Sequence, residues 1–209
     1  MRVKRFLIVV EGIADEKFFG DYYYHLFGEK APEGSIITTA ENEGTGGYKK
    51  IETETVLQAL RRNTDNDGRN IVIFDSDDSV NERRQEMQMI KEKHSVEFEL
   101  FLLPNDQDRG ALEDLLENII NSDNKPIMEC WHNYEQELMR VRVPARNPLT
   151  IPANKTKIYA YLETLLGTSK SQKKLIKEAN RNYRNSLHWN LDAEYLRPLK
   201  DFLTRVLCE

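Results

Sequence analysis

Cysteine is nearly absent: Cys130 and Cys208 are the whole supply. Their spacing matches no disulfide framework and no zinc ribbon, and a reducing cytoplasm is the expected compartment. The four histidines, His25, His94, His132 and His188, are scattered without ligand or triad spacing. Cys130 and His132 do not make a nucleophile–base pair readable from the chain. Long apolar runs are missing too. The longest near the start, Phe6-Leu7-Ile8-Val9-Val10, is far short of the ~20 residues of a membrane span. It follows basic residues, but it is too short for a signal-peptide core and no cleavage-like site follows. There is no internal repeat and no low-complexity tract.

What is present is charge. Of 209 residues, 39% are hydrophobic and 31% charged, the balance of a water-facing globular chain of one large domain or a core with an appendage. The net charge of −5 hides an asymmetry: residues 1–139 carry 16 Lys and Arg against 29 Asp and Glu, residues 140–209 carry 14 against 6. An acidic part with a basic part suits holding a metal and holding an anion, or the two parts attract each other.

Periodicity predicts strands at 5–10, 35–39, 70–74 and 96–103, the last stopped by Pro104. Helices are predicted at 15–24, 49–62 and 79–93 between them. Strands alternating with helices make a parallel sheet with helices on both faces and right-handed crossovers. Beyond Leu103 the pattern turns helical, at 111–121, 127–139, 155–166, 169–183 and 192–207, with prolines marking 140–154 as loop. The division expected is an α/β core over 1–121 and a helical region over 122–209 that packs on it or caps it.

In open α/β sheets ligands sit beyond the carboxyl ends of the strands. Glu11 follows the first predicted strand; Asp75, Asp77 and Asp78 follow the third. If those strands are neighbours, Glu11, Asp75 and Asp77 converge. Crowded carboxylates resist joint ionisation unless a cation sits among them, and an oxygen-only set suits Mg²⁺ or Mn²⁺. Asp78 and Ser79 read better as a turn and a helix cap.

The run Phe6-Leu-Ile-Val-Val-Glu-Gly-Ile-Ala-Asp-Glu, with Ile-Val-Ile-Phe-Asp75-Ser-Asp77 some 60 residues later, resembles a Toprim domain. That domain occurs in topoisomerases, DnaG-type primases, small RNA maturases and OLD-family (overcoming lysogenization defect) nucleases. The resemblance covers about residues 5–103. It implies a Toprim-like, Rossmann-like sheet, Glu11 as general acid/base or metal ligand, and Asp75 and Asp77 as Mg²⁺ ligands. A fainter likeness continues: Gly110-Ala-Leu-Glu113-Asp114-Leu-Leu and Asn154-Lys155-Thr-Lys157-Ile-Tyr-Ala-Tyr-Leu are similar to small bacterial Toprim proteins related to the OLD nucleases. It implies a second metal site at Glu113 and Asp114 and a lysine, Lys155 or Lys157, near the scissile phosphate. No ATPase domain accompanies these segments, so no coupling to ATP in cis is expected.

Read from the residues alone, Leu112, Leu115, Leu116, Ile119 and Ile120 form a buried stripe, and Glu113, Asp114 and Glu117 point away from it, to the cleft or to solvent. Glu43-Gly44-Thr45-Gly46-Gly47 is a flexible loop or offers N–H groups to a phosphate. Lys170, Lys173, Lys174, Lys177, Arg181 and Arg184 recur at helical spacing, a phosphate-tracking face or a solvated one. Tyr183 and Trp189 read as packing residues more readily than as stacking platforms for bases. The activity implied is metal-dependent hydrolysis of DNA or RNA, with nucleic acid as partner and no membrane. The alternative is a non-catalytic Toprim-fold module that binds nucleic acid or a protein. A phosphate-accepting signalling domain would want an acidic pair after strand one, and a hydrolase with a nucleophilic Asp would want its D-x-D there; neither order is found.

Overall fold

A computed structural model describes residues 3–39, 47–144, 146 and 148–208. Four parallel strands, β1 (Phe6–Val10), β2 (Ile36–Thr38), β3 (Arg69–Asp75) and β4 (Glu99–Leu103), lie in the order β2-β1-β3-β4. The central strands are continuous apolar runs because both faces are covered. Alternation then sorts their side chains. Phe6, Ile8 and Val10 face one buried cluster; Leu7 and Val9 face the other.

The second cluster is closed by α2 (Glu54–Asp65) and α3 (Val80–His94), through Val56, Leu57, Leu60, Met87 and Ile90. The first is closed by α1 (Ile13–Phe27), α4 (Leu112–Asn118), α6 (Asn154–Leu166) and α8 (Arg197–Leu207). α1 buries Phe18, Phe19, Tyr22 and Tyr23 and ends on Gly28 at φ 75°, a left-handed cap whose N–H reaches the Tyr24 carbonyl. α5 (Lys125–Arg140) buries Met128 alone, and α7 is short (Lys170–Ile176). Among the described residues no helix is long and apolar enough to cross a membrane.

The chain from 122 onward shares the sheet's core. Phe202 of α8 packs on Phe101 of β4 with ring centroids 5.2 Å apart. The Lys4 N–H bonds the Leu207 carbonyl at 2.9 Å, joining the two ends of the described chain. Tyr183 and Trp189 are core residues, as expected.

Several predicted helices are shorter than their periodicity suggests; the one expected over 192–207 begins at Arg197 after a 3₁₀ turn at 194–196, and the one expected over 111–121 covers Leu112–Asn118. Residues 48–52 form a 3₁₀ turn and Thr53 is extended, so α2 begins at Glu54 and not at 49. The helix expected over 169–183 stops at Ile176: Lys177 is extended, 178–180 form a 3₁₀ turn, and the chain then turns inward. The predicted Gly-rich loop lies, apart from Gly47, outside the described residues.

Candidate active site

The strand order places the switch between left-going and right-going connections at the carboxyl ends of β1 and β3, where such folds leave a crevice. Glu11 is the residue after β1. Hydroxyls of Thr38, the last residue of β2, and of Thr39 hold its carbonyl at 2.9 and 3.1 Å. Its carboxylate Oε1 accepts the N–H of Asp75 at 3.1 Å. Asp75 ends β3, and its Oδ1 accepts the Leu112 N–H at 3.1 Å, which aims the start of α4 at the same spot.

Asp77 stands in a loop fixed from below. Buried Ser76 accepts the Gly110 N–H at 2.8 Å, and the Asp77 N–H bonds the Gly110 carbonyl at 3.1 Å. Gly110 is needed there: its φ is 143°, and a Cβ would sit 2.6 Å from Asp114 Oδ2. Asp77 itself is left-handed at φ 49°, which Asp tolerates better than most residues.

The acids crowd one another. Burial lifts Glu11 to about 7; the Asp75 N–H opposes the rise, the Asp77 charge adds to it and Arg83 subtracts. Burial also pushes Asp75 well up, and the charges of Asp15, Glu11, Glu113 and Asp77 push it further. Asp15 is raised by burial and by Glu11 and Glu113, against the pull of the N–H groups it accepts. Five carboxylates therefore share one field, and three of them resist ionisation.

Two members were not foreseen. Asp15 accepts the Gly12 N–H at 3.0 Å, so it caps α1 and yet belongs to the cluster. An acid in a first helical turn ordinarily marks only a helix start; the additional signal was its position one turn after Glu11. Arg83 is the second. Its guanidinium pairs with Asp77, bonds the Asp75 carbonyl at 3.2 Å and Glu86 at 2.9 Å, and lies 3.5 Å from the Tyr48 ring centroid. Nothing in the polar sequence of α3 singles it out.

The donor set fits a hard divalent ion in its chemistry: oxygen only, partly buried, with charged forms that a cation would stabilise. As the side chains stand, Asp77 is turned to Arg83. Among the described residues no three His, Cys, Asp or Glu groups are disposed to hold one ion together.

The remaining expected residues divide. Glu113 joins the electrostatic cluster. Asp114 does other work: Oδ2 caps α4 through the Ala111 N–H and Oδ1 takes Asn154 Nδ2, each at 2.8 Å. Lys155 is exposed and pairs with Glu178 at 2.7 Å. Lys157 is buried, its Nζ 2.9 Å from Glu117 and 3.7 Å from Glu135, and ties α6 to α4 and α5. Lys170, Lys173, Lys174 and Lys177 are exposed, Lys173 lying 3.3 Å from Glu163. Arg181 corrects the expected basic face: only 1% of it is exposed, because the helix that would have carried it outward has ended.

No curated protein and no solved structure matches this chain. The model of DUF3226, described as a protein of unknown function, matches residues 5–208, and the chain belongs to that family.

Proposed function

We propose that the chain is a Toprim-type nuclease that hydrolyses phosphodiester bonds of DNA or RNA with Mg²⁺ or Mn²⁺. The observation that carries this reading is the meeting of Glu11 and Asp75 at the switch point, in a group of five carboxylates of which burial and neighbouring charge raise Glu11, Asp15 and Asp75. Glu11 and Asp75 would hold the ion, Asp77 would join on leaving Arg83, and Glu113 would serve a second ion. When bound, the metal supplies neutralising charge at the phosphoryl oxygens.

The chain's own groups account for the rest. Burial lifts the Glu11 carboxyl to about 7 when no cation is beside it; a bound ion would favour its carboxylate form, so Glu11 would hold the ion or pass a proton through its free oxygen while its Oε1 stays on the Asp75 N–H. Lys155 begins α6 beside Asn154, which is anchored to the first turn of α4, so its ammonium is the cation to set against a phosphate near the acids. Lys157 is withdrawn from that role by its burial against Glu117.

A non-catalytic binding module is favoured by one observation, the Arg83 guanidinium that already neutralises Asp77. Plasmid and single-stranded RNA incubated with Mg²⁺, Mn²⁺ or EDTA separate the two. Cleavage that needs metal and disappears in both Glu11→Gln and Asp75→Asn supports the nuclease. Retention of nucleic acid without cleavage supports the module.

A further inference from the structure

Glu178 lies in a cradle of cationic and hydroxyl groups. Its Oε1 is 2.7 Å from Lys155 Nζ, and its other oxygen accepts the Tyr159 hydroxyl. Behind the Tyr159 ring, 4.8 Å from its centroid, stands the Arg181 guanidinium. Arg181 is 1% exposed, and no carboxylate among the described residues pairs with it. Nε bonds the Ile176 carbonyl at 2.9 Å, Nη1 reaches the Tyr183 hydroxyl at 3.5 Å, and Nη2 has no partner. A buried guanidinium without a counter-ion is costly unless its positive field is used. That guanidinium faces the Tyr159 ring; the Glu178 carboxyl, which burial raises, is brought down to about 2 by the Lys155 ammonium, the Tyr159 hydroxyl and its own N–H.

The cradle is linked to the acids through α4. Asn154, next to Lys155, bonds Asp114 in the first turn of α4, the helix whose leading N–H holds Asp75.

We propose that Lys155 and Tyr159, backed by Arg181, form a phosphate subsite beside the carboxylates, and that Glu178 is its resident anion, displaced when a phosphate group of the substrate binds. The subsite would take a phosphate next to the scissile one, or inorganic phosphate alone. Its use by a nucleic acid rests on the proposed nuclease reading; its capacity for phosphate does not. Glu178 opens a short 3₁₀ turn packed on α1, so its carboxylate would withdraw by rotation of its own side chain while the turn stays in place.

The experiment is calorimetric titration of the full chain with inorganic phosphate in EDTA, for the wild type, Glu178→Gln, Glu163→Gln and Glu178→Gln/Lys155→Ala. Freeing a cation that is paired most of the time tightens binding by the inverse of its free fraction, so Glu178→Gln is expected to gain roughly 10-fold. Adding Lys155→Ala should remove the gain. Glu163→Gln makes the same charge change on α6, beside Lys173, and should change affinity less than about twofold. Equal affinity in wild type and Glu178→Gln, with both folded by circular dichroism, would overturn the proposal. So would an equal gain in Glu163→Gln, which would be bulk charge alone. A phosphate gain in a chain that cleaves no nucleic acid would leave the subsite standing and remove the nuclease.

Discussion

The carboxylate of Glu11 accepts the backbone N–H of Asp75 at 3.1 Å, so the acid that follows β1 is tied directly to the acid that ends β3. The bond holds one oxygen of Glu11 and leaves the other to chemistry. It also fixes the two residues in a region where burial disfavours both charges.

Stability should therefore depend on pH in an unusual direction. Glu11, Asp15 and Asp75 all titrate higher in the folded chain than in the unfolded one. Between the ordinary carboxylate range and about 7 the folded state binds more protons, so stability falls as pH rises. In EDTA the melting temperature should drop from about pH 5 to about pH 8 by an amount on the order of 2 kcal/mol, roughly 4–8 °C for a chain this long. Mg²⁺ or Mn²⁺ should restore most of it at the higher pH. A melting temperature that climbs over this range in EDTA would contradict the crowding.

Asp75 has two roles that substitution separates. Asp75→Asn keeps an oxygen for the Leu112 N–H and removes a charge from the cluster. It should abolish metal-dependent cleavage and melt at or above the wild-type temperature in EDTA. Asp75→Ala loses the acceptor as well and should melt lower, by about 1 kcal/mol. Paired melts and cleavage assays on both variants check this.

Lys155 and Lys157 should part company. Lys157→Ala leaves Glu117 without its buried cation and is expected to cost about 3 kcal/mol, read by urea denaturation. Lys155→Ala removes a pair whose ammonium is exposed, should cost about 1 kcal/mol, and should weaken phosphate contact. Reversed outcomes would return Lys157 to the site.

If the exposed Lys173, Lys174 and Lys177 follow a phosphate backbone, their replacement by Ala should flatten the salt dependence of nucleic-acid binding by about one unit per lost contact. Arg181→Ala should instead lower the melting temperature and leave the slope alone, because its guanidinium is inside. Anisotropy titrations at two salt concentrations, beside melts, distinguish surface contacts from packing.

Much of this was legible because strands of a parallel sheet are short apolar runs and the residues after them are conspicuous. Glu11 and Asp75 stand out for that reason, and the structure brings both to one edge. Asp15 was hidden by a rule that is usually right, since an acid three residues after a helix cap needs no further role. Arg181 was misplaced because helical spacing of like charges says nothing about where the helix stops. An extended backbone at Lys177 redirects everything after it. Lys157 looked like its neighbour Lys155, and only the packing of α6 on α4 and α5 turns one inward and leaves the other in solvent.

On the proposed function, the carboxylates at the ends of β1 and β3 hold a divalent cation. A crystal soaked in Mn²⁺, with anomalous scattering recorded at the manganese edge, tests it directly. A peak is expected bounded by Glu11 and Asp75 oxygens at about 2.0–2.4 Å, with Asp77 turned away from Arg83 to meet it. Saturating Mn²⁺ with no peak at that edge, and Asp77 still paired with Arg83, would contradict it.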